Sequence, residues 1–407
     1  MTTDVHLQQD SDKLQEDPYK EIRPYRDDEV GQVLFDILHD NEFIDAITKY
    51  QFPKASKWAG WFLRPVVKQV LAARLSDIDS VKGFQDLVST YMAKMINRST
   101  TKVSCSGIEK LAHDEAYLFV SNHRDIAMDP AFVNWMLYHN KMETVRIAIG
   151  DNLLRKPYVS DLMRLNKSFI VNRSAKGREM MTALTQLSSY IDHSIQTGHS
   201  VWIAQREGRA KDGNDRTDPA LLKMFYMSQR KQRSFSEMAE RLNIVPVSIS
   251  YELDPCDAAK ANELAAKATD GNYVKGEFED IQSIVQGIVG NKGRVHVAFG
   301  DVITGDYQDA DALAAEIDRQ IHLNYRLQLT NLAAADQETG AEGQALLEQR
   351  LEQVTGSARD ILKAMYAKPV ENFKAAEAEL VGLDGCLNLL ISTLKARLAW
   401  SMCLRRK

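Results

Sequence analysis

Residues 117–130 read YLFVSNHRDIAMDP, an apolar run of strand length followed by a polar loop and by an Asp-Pro pair that is typical of a helix start. Further apolar runs of similar length follow, and helical stretches separate most of them. These runs are Val145–Ile149, Ser168–Val171, Val201–Ala204, Ile244–Ile249 and Val295–Phe299. Strands that alternate with helices predict an α/β fold with a mixed, largely parallel sheet flanked by helices.

Helical patterns lie on both sides of this predicted sheet domain. Apolar residues at three-to-four spacing predict a helical N-terminal segment over residues 29–101, and residues 333–407 form a second helical segment interrupted by glycines. The sheet domain is therefore expected to span residues 102–332. Residues 1–28 are rich in acids and begin without an apolar stretch, which predicts a disordered acidic tail.

The charge of the chain is distributed unevenly. The 407 residues carry a net charge of −5, and the nine acids and four bases of residues 1–30 account for all of it. A net charge of −5 argues against a nucleic-acid-binding protein, which would normally be basic. The four cysteines (Cys105, Cys256, Cys386 and Cys403) are widely separated, so no metal site is expected. No secretory signal or membrane-spanning run is recognisable.

Two apolar stretches nevertheless raise the question of membrane contact. Lys57–Leu75 places Trp58 and Trp61 near one face of a helix, for which packing into a core is the favoured interpretation over membrane contact. Leu387 to Lys407 carries five bases and no acid. It fits an interfacial membrane helix or a basic helix end that complements the helix dipole.

The polar loop after Val120 contains the first candidate catalytic residues. His123 follows a strand directly, with Asp125 and Asp129 two and six residues further on. A histidine near a carboxylate is typical of a general base with an orienting acid, and open α/β sheets place their sites at strand ends. Alternatively, Asp129 serves only as a helix cap before Pro130, and Asp125 pairs with a neighbouring base.

Basic residues follow two other predicted strands. Arg173 comes directly after Ser168–Val171, within a stretch (residues 155–178) of seven bases and one acid. A charged turn with Glu207, Gly208, Arg209 and Lys211 follows Val201–Ala204. Arginine suits phosphate binding, and glycine allows a ligand to approach the backbone. A solvated basic face and an ordinary surface turn are the alternatives.

In their order along the chain, these blocks resemble the glycerolipid acyltransferase family, which carries an H-x4-D motif. Asn122-His123…Asp129 resembles the first block, Phe169–Arg173 the second, Glu207-Gly208-Arg209 the third and Val245-Pro246-Val247 the fourth. The resemblance covers roughly residues 103–305. It implies that His123 is the catalytic base and that Arg173, with the Glu207–Lys211 turn, binds the phosphate of the acceptor.

The sequence departs from the family pattern at two places. Five residues separate His123 from Asp129, and Met128 stands where the family has its Asp. Either Asp129 or Asp125 is therefore expected to orient the histidine, with Asp129 slightly favoured. The third block lacks a Thr, so that Arg209 or Lys211 takes the place of the family's Arg.

The resemblance implies an O-acyltransferase of phospholipid biosynthesis. The acyl donor would be a thioester of coenzyme A or acyl carrier protein, with no other cofactor. The favoured acceptor is 1-acyl-sn-glycerol 3-phosphate; glycerol 3-phosphate and an amino-acid lipid are alternatives, as is a non-catalytic protein that binds lipid or acyl carrier protein. The expected location is the cytoplasm, with peripheral contact at the inner face of the cytoplasmic membrane.

Overall fold

The computed structural model describes residues 17–276 and 278–384, and its first part is a group of four helices. They are α1 (Asp27–His39), α2 (Asn41–Gln51), α3 (Ser56–Leu75) and α4 (Val81–Ser99). Apolar side chains of α1, α2 and α4, such as Val30, Phe43 and Phe84, bury one another in a small core. The prediction of a helical N-terminal segment is confirmed.

Residues 17–26 pack against the rest of the molecule, which corrects the prediction of a disordered tail up to residue 28. Arg23 forms ion pairs of 2.6 Å with both Asp17 and Glu29. The backbone N–H of Ile170 donates to the carbonyl of Ile22 at 2.9 Å. Asp17, one of the acids that suggested disorder, is thus paired with Arg23. Residues 1–16 lie outside the described residues.

Seven strands form one mixed sheet. They are β1 (Lys102–Ser106), β2 (Leu118–Ser121), β3 (Arg146–Gly150), β4 (Ser168–Val171), β5 (Val201–Ala204), β6 (Ile244–Tyr251) and β7 (Arg294–Phe299). Their order in the sheet is β1-β7-β6-β2-β5-β3-β4. Strands β2 to β6 are mutually parallel, whereas β7 is antiparallel to β6 and β1 is parallel to β7. The predicted fold class is confirmed.

Helices cover both faces of the sheet. The helices between the strands are α5 (Met128–His139), α6 (Pro157–Leu165), α7 (Gly177–Gln196), α8 (Pro219–Tyr226), α9 (Phe235–Arg241), α10 (Asp257–Asp270) and α11 (Glu279–Val289), and α12 (Ala310–Asn324) follows β7. Alternate residues of β2 enter different cores. Leu118 and Val120 pack with α7, α8, α9 and α12, whereas Phe119 packs with α4 and α5.

Pro246 lies inside the central strand β6, where a proline is unusual. Antiparallel pairing of β6 with β7 begins one residue later, at Val247 opposite Phe299. The carbonyl of Pro246 accepts a 2.8 Å hydrogen bond from the N–H of Gly300, beyond the end of β7. The missing donor therefore falls where the ladder with β7 has ended.

The C-terminal helices pack onto the sheet domain. They are α13 (Leu329–Ala334), α14 (Gly340–Leu351) and α15 (Ser357–Asp384). Ala261 of α10, Leu347 of α14 and Leu362 of α15 share one core. The predicted boundary between residues 332 and 333 falls inside α13 and is wrong, because this helix continues to Ala334. The basic helix predicted over Leu387 to Lys407 lies outside the described residues.

Helix α3 presents its aromatic residues to solvent. Trp58 and Trp61 are each 78% exposed, and Phe62 is 59% exposed. The favoured interpretation of this face as core is therefore wrong, since only Val67 of the helix is buried. In the described part of the chain, every helix is too short or too polar to cross a bilayer.

Candidate active site

The loop that carries His123 is anchored to the neighbouring strand by Asn122. The Asn122 amide donates to the carbonyl of Ile249 at 3.0 Å and accepts from the N–H of Ile249 at 2.8 Å. Asn122 is fully buried, so both hydrogen bonds are shielded from water. This double contact fixes the direction in which the chain leaves β2. His123 is therefore held at the carboxyl edge of the parallel strands, where the sequence predicted a site.

His123 and Asp129 form a hydrogen-bonded pair. The Nδ1 atom of His123 lies 2.9 Å from Oδ2 of Asp129, the second residue of α5. The same oxygen accepts the backbone N–H groups of Arg124 at 2.6 Å and Asp125 at 2.9 Å. Asp129 is fully buried, and the side chain of His123 is 13% exposed. The loop between His123 and Asp129 folds around the Asp129 carboxylate. In this way it accommodates the fifth intervening residue, one more than in the H-x4-D motif.

Asp125 has a different environment. Its Oδ1 atom accepts the N–H groups of Ala127 at 3.0 Å and Met128 at 2.9 Å, as a cap for the start of α5. Among the residues that the structure describes, its buried Oδ2 atom has no hydrogen-bond partner. Burial raises the pKa of Asp125 to about 6, and the Asp129 carboxylate adds to the rise. Of the two candidate carboxylates, only Asp129 contacts the histidine.

Tyr251 completes the surroundings of the pair, and sequence reasoning missed it. Its hydroxyl donates to Oδ1 of Asp129 at 2.7 Å, so that both oxygens of this carboxylate are bonded. Burial and the Asp129 charge hold the pKa of Tyr251 well above its ordinary value. Tyr251 is the last residue of β6, and its position at the carboxyl end of a strand was the available signal.

A buried ion pair supports the loop from the other side. Arg124 Nη2 donates to Oδ2 of Asp215 at 2.6 Å, and the Asn122 amide reaches the same oxygen at 3.2 Å. The Nζ atom of Lys260 donates to the carbonyl of Arg124 at 2.7 Å. Arg124 thus acts within the protein, which leaves His123 as the partly accessible group of this loop.

Arg173 lies at the same edge of the sheet, beside Glu207. Its Nη1 atom is 3.6 Å from Oε1 of Glu207, and both side chains are partly exposed. Its backbone N–H donates to Asp151 at 3.2 Å, which joins the loop after β4 to the loop after β3. A Cβ atom on Gly150 would lie 2.9 Å from Nε of Arg173, so glycine makes room for the guanidinium. The structure therefore brings Arg173 and Glu207 together.

Arg209 and Lys211 both lie in the turn after β5, but they have different partners. Lys211 forms an ion pair with the buried Glu263, whereas Nη2 of Arg209 donates to the neutral Ser283 hydroxyl at 3.3 Å. Gly208 has a positive φ of +74°, which a glycine adopts without strain. The N–H of Ala210 donates to the carbonyl of His123 at 2.9 Å and ties the turn to the loop that carries His123. Arg209 is thus the better placed of the two to bind an anion.

Comparison with known proteins identifies the family of this domain. Residues 102–250 match the family model described as Acyltransferase. Residues 102–250 are an acyltransferase domain. His123, Asp129, Arg173 and the Glu207–Lys211 turn all lie within the acyltransferase domain, and Tyr251 follows it directly. The resemblance to glycerolipid acyltransferases is confirmed.

Curated relatives of the acyltransferase domain carry the name glycerol-3-phosphate acyltransferase. The protein from Shewanella amazonensis is 27% identical over 228 residues, and the one from Shewanella loihica is 26% identical over the same length. Each alignment covers 56% of this chain and 26% of the relative. The chain thus matches about a quarter of the length of these relatives.

A solved structure is also similar to this chain. The crystal structure of the 1-acyl-sn-glycerophosphate acyltransferase PlsC from Thermotoga maritima aligns with a TM-score of 0.35 and 13% identity. The alignment covers 69% of this chain and 92% of that chain.

The acyltransferase domain thus presents an imidazole whose Nδ1 atom is occupied by a buried carboxylate. Such a contact fixes the tautomer and the orientation of the ring, and it stabilises the imidazolium that forms when Nε2 takes a proton. The ring of Trp202 lies edge-on to that of His123, with 5.9 Å between the centroids. This arrangement can perform general base catalysis on a bound hydroxyl.

Proposed function

We propose that this protein transfers a fatty acyl group from a thioester to a hydroxyl of a phosphorylated glycerol, as a step of phospholipid biosynthesis. The observation that carries the proposal is the His123–Asp129 pair inside an acyltransferase domain. Arg173 at the same sheet edge supports it, because a guanidinium binds phosphate with two parallel hydrogen bonds.

The proposed reaction needs no covalent intermediate with the enzyme. Nε2 of His123 takes the proton of the acceptor hydroxyl, while the oxygen of that hydroxyl attacks the carbonyl carbon of the thioester. The carbon–sulfur bond then breaks, and the imidazolium returns the proton to the leaving thiolate. The products are an ester and a free thiol. Positioning of both substrates contributes by making the attack effectively unimolecular.

Two acceptors are supported by different observations. The names of the curated relatives favour glycerol 3-phosphate. The exposed Trp58 and Trp61 favour 1-acyl-sn-glycerol 3-phosphate, because this lipid has to be taken from a membrane surface. Helix α3 also carries four bases and no acid, which suits an anionic membrane. Peripheral contact at the inner face of the cytoplasmic membrane stays a prediction, as does the choice between coenzyme A and acyl carrier protein.

Thiol release measures the proposed reaction directly. The full chain is incubated with acyl-CoA or acyl carrier protein thioester and with each acceptor, and free thiol and ester product are quantified. We expect acceptor-dependent thiol release, and we expect His123→Ala to reduce it to background while the melting temperature is retained. Unchanged activity of His123→Ala would contradict the mechanism. Absence of thiol release with every donor and acceptor would favour a lipid-binding protein without catalysis.

A further inference from the structure

Helix α11 buries its small residues and exposes its large apolar residues, which is the reverse of a normal amphipathic helix in a globular protein. Its buried residues are the small Ser283 and Gly287. Its large apolar residues face outward: Ile281 is 55%, Val285 52% and Val289 59% exposed. Phe278, just before the helix, is 59% exposed. A row of exposed apolar side chains on one helix marks an interaction surface.

The inward face of α11 lies against the candidate active site. Ser283 accepts the hydrogen bond from Arg209, as described above. A Cβ atom on Gly287 would lie 2.1 Å from Oδ2 of Asp125, so the helix approaches the catalytic loop as closely as a glycine permits. Whatever binds the outward face of α11 is therefore held near the loop that carries His123 and Asp125.

Helix α4, which contacts α11, carries exposed basic residues. The buried Lys292 links the two helices, because its Nζ atom donates to the Ser99 hydroxyl at 3.0 Å and to the carbonyls of Ile288 at 3.2 Å and Gly290 at 2.9 Å. From Leu87 onward α4 has two bases, the exposed Lys94 and Arg98, and no acid. Of the two acids at the start of α11, Asp280 forms an ion pair with Lys275, and Glu279 accepts the hydroxyl of Tyr273.

We propose that the outward face of α11 inserts into the surface of an anionic lipid bilayer and holds the loop of His123 close to the membrane. Apolar side chains next to bases match the acyl chains and anionic headgroups of such a surface. Arg74 of α3 donates to the hydroxyl of the exposed Tyr91 of α4 at 3.2 Å, so α4 also connects α11 to the Trp-bearing helix. The proposal rests on the proposed function only for its purpose, since membrane binding requires no acyl transfer.

Flotation of the full chain with vesicles tests the proposal. The vesicles contain phosphatidylglycerol mixed with phosphatidylcholine, or phosphatidylcholine alone. We expect the wild type to bind the anionic vesicles, and the double variant Ile281→Asp with Val285→Asp to bind them at least about tenfold more weakly. The matched control is Met180→Asp with Met181→Asp on α7, which packs on the opposite face of the sheet; these methionines are 43% and 47% exposed. The control should bind within about twofold of the wild type.

Each alternative occupant of the α11 face gives a different result. Equal vesicle binding by the wild type and the α11 variant overturns the proposal. If the α11 substitutions weaken binding only in a chain ending at residue 384, residues 385–407 cover this face and the proposal is wrong. A wild-type dimer that the α11 variant converts to a monomer, with vesicle binding unchanged, identifies a second copy instead. If the full chain binds vesicles normally but shows no acyl transfer, the proposed function is refuted and this inference stands.

Discussion

The carboxylate of Asp129 is the most completely bonded group of the candidate site. It accepts two backbone N–H groups, the Tyr251 hydroxyl and Nδ1 of His123. Four donors around a buried carboxylate compensate for the loss of water. The aspartate is therefore held in one position, from which it orients the imidazole. Asp125, only four residues away, lacks such compensation on its Oδ2 atom.

We predict opposite consequences for the two carboxylates. Asp129→Asn should lower kcat by at least about 100-fold, because the amide can present an N–H group to Nδ1 and disturb the tautomer. Asp125→Asn should retain most of the activity, because its amide oxygen can still accept the N–H groups of Ala127 and Met128. Steady-state kinetics of both variants at pH 7 provide the comparison. Loss of activity in Asp125→Asn with normal kinetics in Asp129→Asn would reverse the assignment.

The pH dependence of stability distinguishes Asp125 further. Its pKa is about 6 in the folded chain against an ordinary value of 3.8, so the folded state retains the proton over a wider pH range. As the pH rises from about 4 to 6, the wild type should lose about 1–3 kcal/mol of stability relative to Asp125→Asn. The difference should then stay constant above pH 6. Urea unfolding of both proteins at several pH values measures it, and a parallel pH dependence would contradict the environment described for Asp125.

At the scale of elements, three loops at the carboxyl edge of the sheet bring together the residues proposed to bind an anion. Asp151 joins the loop after β3 to the loop after β4, and Arg173 meets Glu207 from the turn after β5. The basic stretch of residues 155–178 serves partly to hold helices together. Arg164, for example, stacks on the ring of Tyr25 at 4.2 Å. Local positive charge in the sequence therefore exceeds the charge available for a ligand.

Arg173→Ala should raise the KM for the phosphorylated acceptor by about 10- to 100-fold and change kcat little, because a charge-assisted hydrogen bond to phosphate is removed. The exposed Arg178 at the start of α7 is the matched control, since Arg178→Ala removes an equal charge from the same stretch. Acceptor titrations at saturating thioester measure both constants. Equal effects of the two substitutions would indicate general electrostatic attraction instead of a phosphate contact.

The sequence pattern predicted most strands of the sheet, because these strands are buried and therefore consist of continuous apolar runs. Ser168–Val171 and Val201–Ala204 have the predicted bounds. β1 was not recognised, because its residues Lys102–Ser106 are largely polar and lie at the edge of the sheet. The sequence pattern failed for α3, since an apolar stripe gives no information on whether protein or another surface covers it.

The candidate site was predictable only where chemistry and strand ends coincide. His123, Arg173 and Glu207 each lie within three residues of a strand end, and all three lie at the carboxyl edge of the sheet. The contact between His123 and Asp129 depends on the path of a short loop, which spacing alone left open between two carboxylates. Tyr251 reaches Asp129 from 122 residues further along the chain. Such a contact is a consequence of strand order and has no local signal.

At the scale of the whole molecule, the C-terminal helices support the loop that carries His123 through α10. Arg350 of α14 forms an ion pair with the fully buried Asp257, which also accepts the hydroxyl of Tyr366 of α15 at 2.7 Å. Asp257 is the first residue of α10, and Lys260 in the next turn donates to the carbonyl of Arg124. The C-terminal helices are thus connected to the loop of His123 by a short series of buried polar contacts.

Arg350→Met should destabilise the protein by about 3–5 kcal/mol at pH 8, because it leaves a buried carboxylate without its cation. The loss should be smaller at pH 5. Burial already raises the pKa of Asp257, and without Arg350 this pKa rises further, so that the folded variant can take up a proton as the pH falls. Urea unfolding at both pH values measures the effect.

Arg359→Met is the matched control, because Arg359 pairs with Glu348 on the surface, where an ion pair contributes at most about 1 kcal/mol. Similar losses for both variants, or a loss in Arg350→Met that does not change with pH, would show that the Asp257 contact does not join these helices to the domain.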